Sequence, residues 1–281
     1  MKNSNSTPPP PRGGVRGGVE MVERLRSCGY AQRVGVVAAL TLAAIIFALV
    51  LPPIPQPPEY HRFADQRTWL GIPNFLNVVS NLPLALAGAL GLWLLARREV
   101  AAAWRGFFLG VLLTGIGSAW YHWAPDNARL VWDRLPMTLC FMSLLAALIG
   151  ERIGARAGRL SWLPLVALGM LSVLYWHVTE SSGSGDLRPY GLVQFLTLLL
   201  VPVLVALFPG RSRRDDRDIL VALALYVLAL LCDTLLDARI LALGGIVGGH
   251  ALKHLLVAVA VLQLLVMLRR RQGSLQSLVF R

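Results

Sequence analysis

The chain has 281 residues, of which 56% are hydrophobic and only 15% charged; its mean hydropathy is +0.60, whereas an ordinary soluble domain carries about 25% charged residues. That excludes a soluble enzyme and a disordered chain, and its three cysteines (Cys28, Cys140, Cys232) are too few, and odd in number, for a disulfide scaffold. A polytopic membrane protein remains, so the net charge of +12 is read first through loop topology and not through nucleic acid.

In chain order, residues 1–33 form a Pro/Gly-rich tail with scattered arginines, expected to be disordered and basic. Eight windows then reach the length of about 20 apolar residues that a bilayer needs: 34–51, 75–96, 106–123, 130–150, 160–178, 190–208, 219–236 and 246–268. Their Leu/Ala/Val content suits helices rather than the alternating segments of a β-barrel. The expected class is therefore an all-α polytopic membrane protein. The expected organisation is a tail (1–33), an extra transmembrane helix (34–52), a proline-rich connector (53–73), a seven-helix domain (74–270) and a second tail (271–281).

Lys and Arg set the orientation. The side that holds the N-terminal tail carries twenty of them, in the tail, at 97–105, 152–159, 211–217 and from 269 onward. The opposite side carries five: Arg62, Arg67, Arg129, Arg188 and Arg239. The bias predicts eight spans with both termini cytoplasmic, and it accounts for most of the positive charge.

Ionisable groups inside a bilayer are functional candidates by default. Within the windows lie His122, Asp133, Arg134, His177, Asp233, His250, Lys253 and His254, together with Asn77, Ser80, Asn81 and Ser118. At about 1.5 Å per residue, those of five windows fall in one layer within roughly 12 Å of the outer boundary. The inner halves of the windows contain no charge. Ser118 and His122 are one helical turn apart, as are His250 and His254, so each pair shares a face. An i,i+4 histidine pair can reach one metal ion, and three histidines with an open position make a catalytic zinc arrangement. Asp133 beside such an ion suits general-base work, with Ser118 holding the water or donating to a developing oxyanion.

Plainer readings stay open for individual residues. Asp133 and Arg134 would serve equally as a buried ion pair. Asp233 would serve as a structural partner of Lys253 or Asn81. Ser80, Asn81 and Ser118 suit interhelical contacts, and His177, beside Tyr175 and Trp176, suits an interfacial aromatic belt.

The stretches 74–83 (NFLNVVSNLP), 117–122 (GSAWYH), 132–137 (WDRLPM) and 250–256 (HALKHLL) resemble the alkaline ceramidase family. That family lies within a superfamily of seven-span membrane hydrolases that also includes adiponectin-type receptors and hemolysin-III-like proteins. The resemblance covers about residues 60–270 and leaves 34–51 as an added helix. It implies zinc on His122, His250 and His254, with Ser118 and Asp133 flanking the reacting water; Ser80, Asn81 and Asp233 are supporting candidates from the same polar layer. It further implies cleavage of the amide of ceramide-like lipids to a sphingoid base and a fatty acid. The implied partner is a membrane lipid, with no nucleic acid and no protein partner. The chain departs from animal members at Arg134, where they carry an acidic residue, and at Lys253, where an aromatic is expected. It also departs at Asn74, where they carry a Glu of a calcium site. Asp65 and Glu59 stand upstream at a shorter spacing, so Asp65 and Asn74 remain weak calcium candidates. A receptor-like zinc protein of the same superfamily, a hydrolase of another N-acyl lipid, a transporter using Asp133 and Asp233, and a purely structural membrane protein, which leaves the polar layer unexplained, are the rival readings.

Overall fold

The computed structural model describes residues 23–24, 26–97 and 100–279, with side chains through 271. Most of the expected tail at 1–33 therefore lies outside the described residues. The helices are α1 (Tyr30–Val50), α2 (Phe75–Val79), α3 (Leu82–Leu95), α4 (Ala102–Trp123), α5 (Asn127–Arg152), α6 (Ala155–Ser181), α7 (Arg188–Leu207), α8 (Arg213–Thr234), α9 (Asp237–Gly244) and α10 (Gly249–Val279). Among the described residues there is no strand beyond one isolated bridge, Trp69 to Ile72. Among the described residues, seven helices are long and apolar enough to cross a membrane, with α2 and α3 taken as one; the bent pair α8–α9 makes an eighth if it too is counted as one span. The protein is an all-α integral membrane protein.

α5 lies at the centre, packed on α4, α6 and α7, and α10 closes the bundle against α8 and α3. α1 stands outside and rests on α7. The interior is filled by residues such as Phe108, Leu148, Leu204 and Met267, each almost completely buried. The outward faces present Leu86, Trp93, Ile116, Leu163, Phe195 and Val259, a girdle whose apolar surface belongs in hydrocarbon rather than water.

The structure corrects three expectations about the spans. The second is not one helix: it breaks at Ser80–Asn81, and Pro83, with no N–H to give, sits in the first turn of α3. The seventh turns by 82° after Thr234 into the short α9. The inner ends also extend past the windows, and the extensions are charged. Arg270 contacts Asp215 and Asp218, each at 2.6 Å, and Arg271 reaches Asp215 and Glu151 at 2.8 Å. Arg152 pairs with Asp216 at 2.6 Å and donates to the Phe208 carbonyl. Burying both partners of an ion pair together is tolerable where burying one is not, so hydropathy windows stop short of helices that continue.

Two short clips fasten the opposite end. Asp65 receives Arg67 Nε at 2.8 Å and Nη2 at 2.7 Å, and Arg67 goes on to the carbonyls of Gly245 and Ile246. Asp186 receives Arg188 Nε and Nη2, both at 2.8 Å, and Arg188 goes on to the Leu51 carbonyl. Each clip is an Asp-x-Arg tripeptide that ties its loop to a distant helix end. The guanidinium of Arg67 holds the Asp65 carboxyl below its usual range, and Arg188 does the same for Asp186.

Candidate metal centre

α4 brings Ser118 and His122 to the bundle interior on one face, exposed by 3% and 1%. The approach of α4 to α5 depends on Gly117. A Cβ there would strike the carbonyl oxygen of Trp132. That carbonyl would ordinarily accept from the amide four residues on, but residue 136 is a proline inside the helix and has no N–H. Pro136 thus frees a carbonyl, Gly117 leaves room for it, and the neighbouring Ser118 interacts with the carboxylate of Asp133 on α5.

α10 supplies His250 and His254, both 5% exposed. Its first turn is fixed by Asp237 of α9, which accepts from the His250 amide at 2.9 Å and from the Ala64 amide at 3.0 Å. Gly249 permits the contact, because a Cβ there would meet the Cys232 carbonyl of α8.

The outer nitrogens of two histidines are committed. His250 Nδ1 lies 2.6 Å from Asp233 Oδ1, whose other oxygen takes Lys253 Nζ at 2.9 Å. His254 Nδ1 lies 2.8 Å from Ser80 Oγ, and Ser80 in turn donates to the Asn77 carbonyl at 3.2 Å. With its proton given to Asn77, the Ser80 oxygen accepts from His254. Both rings therefore carry hydrogen on Nδ1 and present a bare Nε2, the usual state of metal-bound imidazole with an oriented outer nitrogen. His250 Nε2 is 3.1 Å from His122 Nε2. One ligand atom from each of the three histidines can be chosen so that all lie within 4.8 Å of one another. Tetrahedral zinc with Zn–N bonds of 2.0–2.1 Å holds nitrogens ~3.4 Å apart, so the donor set fits zinc. Phe63, 5% exposed, packs its ring 4.8 Å from His122 and 4.5 Å from His250.

The other candidates sort by contact. Asp233 pairs with Lys253 and with His250, while Asn81 Nδ2 donates instead to the Asn77 carbonyl. Arg134 forms no ion pair with Asp133; it gives Nη2 to Gln56 Oε1 at 2.6 Å and stacks on aromatic rings. His177 lies beside Trp176, apart from the triad. Both carboxylate oxygens of Asp65 are taken by Arg67, and Asn74 Nδ2 donates to the His122 carbonyl at 2.9 Å. The two calcium candidates therefore hold structure together here, and Asn74 steadies the end of the helix that carries His122. Sequence reasoning misses Phe63, Asp237, Gln56 and Tyr60. Only Asp237, four residues after Asp233, carries a spacing signal, and the bend of the helix hides even that.

The family model described as Ceramidase matches residues 70–276, a stretch that contains the three histidines, Ser118 and Asp133 and leaves α1 outside. No curated protein matches the chain.

Proposed function

The chain belongs to the ceramidase family, membrane hydrolases of the amide of ceramide, and on that premise we propose that it is a zinc-dependent intramembrane amidase acting on ceramide-like lipids. The observation that carries the reading is the convergence of three buried histidines, two with their outer nitrogens already held by Asp233 and Ser80, next to the Ser118–Asp133 pair.

His122, His250 and His254 would hold the ion through Nε2. Zinc bound there supplies Lewis acidity and lowers the pKa of water toward 7. Asp133 takes a proton from the water whose oxygen attacks the amide carbon. As the carbon–nitrogen bond breaks, the same carboxyl returns that proton to the leaving nitrogen, giving an amine and a carboxylic acid. The Ser118 hydroxyl fixes the Asp133 rotamer by donating to the charged carboxylate, and once Asp133 holds the proton the hydroxyl is released to donate to oxygen charge that develops in the transition state. Lys253 neutralises Asp233, which leaves Asp133 as the carboxylate able to accept. Both termini lie in the cytoplasm on this reading, and the histidine layer faces the extracytoplasmic side, so the amide meets the site near the headgroup level while the acyl chains reach inward.

Purified protein should contain one zinc per chain and release fatty acid from ceramide, and His250→Ala should lose metal and turnover together. Full zinc occupancy in a variant with alanine at all three histidines would overturn the assignment.

A further inference from the structure

Arg134 is 4% exposed, yet its Nε and Nη1 have no hydrogen-bond partner. A guanidinium carries five N–H donors, and three of them belong to those two nitrogens. Nη2 is engaged on Gln56 Oε1. Gln56 is itself buried, its backbone N–H donating to Glu180 Oε2 at 2.9 Å. The charge rests among flat rings, with Trp176 at 4.3 Å, Tyr190 at 4.8 Å and Tyr60 at 5.3 Å. The Tyr190 hydroxyl also interacts with it. Among the described residues no carboxylate pairs with Arg134, whereas Lys253 has Asp233 and Arg152 has Asp216. Ring faces supply part of what the charge loses on leaving water, but they accept no hydrogen bonds in the guanidinium plane. An in-plane acceptor is missing.

Position completes the case. Arg134 follows Asp133 directly on α5, and the two interact electrostatically. Tyr60 packs against His61 with ring centres 6.2 Å apart, His61 against Tyr121 at 5.8 Å and Tyr121 against His122 at 4.8 Å, so an unbroken run of rings joins the aromatic slot to the histidine layer.

We propose that Arg134 is a binding site for a lipid carboxylate next to the reaction centre. A planar carboxylate fits the edge of a guanidinium clamped between rings: one oxygen takes Nε or Nη1 and the other takes the second proton of Nη2, whose first is on Gln56. Its source is either a carboxylate-bearing headgroup, as in an N-acyl amino acid whose acid lies two bonds from the amide nitrogen, or the fatty acid released by hydrolysis. The proposal rests on the amide-lipid reading for the second source only; the site itself is tested by binding.

The experiment measures binding of N-oleoylglycine, oleate and the uncharged N-oleoylethanolamine to the purified zinc-loaded protein in nanodiscs, with mass spectrometry following any cleavage. At least one carboxylate should bind about ten- to a hundredfold more tightly than the ethanolamide. Arg134→Gln should bring that ratio close to one, and Arg134→Lys should restore part of it. Preference for N-oleoylglycine identifies the headgroup as the source, and preference for oleate identifies the product. Equal binding of all three ligands by the unaltered protein overturns the proposal without any variant having to fold, as does a ratio that survives Arg134→Gln. With ceramide assayed on the same preparation, carboxylate preference without release of fatty acid from ceramide would keep this site and sink the hydrolase reading; ceramide cleavage without preference would do the reverse.

Discussion

His250 Nδ1 and Asp233 Oδ1 are 2.6 Å apart, across the junction of α10 and α8, and Lys253 holds the far oxygen of the same carboxylate. The carboxylate fixes which imidazole nitrogen is bare. Asp233→Asn should therefore weaken zinc binding by about 10–100-fold while leaving the three ligands in place, as read by competition with a chelator of known affinity. Unchanged affinity would make Asp233 a partner of Lys253 alone.

Asp133→Asn should retain zinc and lose turnover by about 10²–10⁴-fold, since an amide cannot accept the proton of water. Metal content and amide cleavage are measured on the same preparation. Near-native turnover would move the base elsewhere, with Asp233 the next carboxylate in the layer.

Gly117→Ala should cost about 1–3 kcal/mol through overpacking, because the added methyl meets a backbone carbonyl of α5 that has nowhere to go. Thermal unfolding in detergent reads the loss, and activity should fall with it because Ser118 and Asp133 are pushed apart. A variant as stable as the parent would show that the two helices are not in the contact described.

Asp65 and Asp186 sit below the usual carboxylate range because of Arg67 and Arg188. A carboxyl whose folded pKa is depressed adds stability above its unfolded value, about 3.9, and loses it as pH falls through the lower folded value. The melting temperature should hold from neutral pH to about 4 with respect to these groups and decline below. Asp65→Asn should lower it at pH 7, and the gap from the parent should narrow in acid. A gap that stays constant at every pH would show that the clip adds nothing through its charge.

Cysteines placed in the 125–128 and 183–185 loops should react with an impermeant maleimide in intact cells. Labelling only after permeabilisation would reverse the sidedness deduced from the arginine bias.

The histidines, Ser118 and Asp133 are legible in the sequence because each pair is fixed by helical spacing and because charge is scarce in apolar windows. The all-helical class follows from the same windows. The pairing of Asp233 with His250 is legible only as a set of alternatives, since spacing reports faces within one helix and not which helices meet. Phe63 and Gln56 lie in a connector without periodicity, so nothing marks them before the chain is folded. The charged inner ends around Asp215 and Arg271 escape for the opposite reason: hydropathy treats as boundary what mutual neutralisation turns into interior.

Phe63 packs against the rings of His122 and His250 and comes from the connector that Asp65, Arg67 and Asp237 pin down. On the zinc reading, that ring covers one approach to the ion, so the connector would have to be in place for the site to be closed on this side, and metal would load more readily before it settles. Removing that cover with Phe63→Ala should then hasten the loss of zinc to EDTA while equilibrium affinity changes little, and an unchanged rate of loss would show that metal leaves by another side.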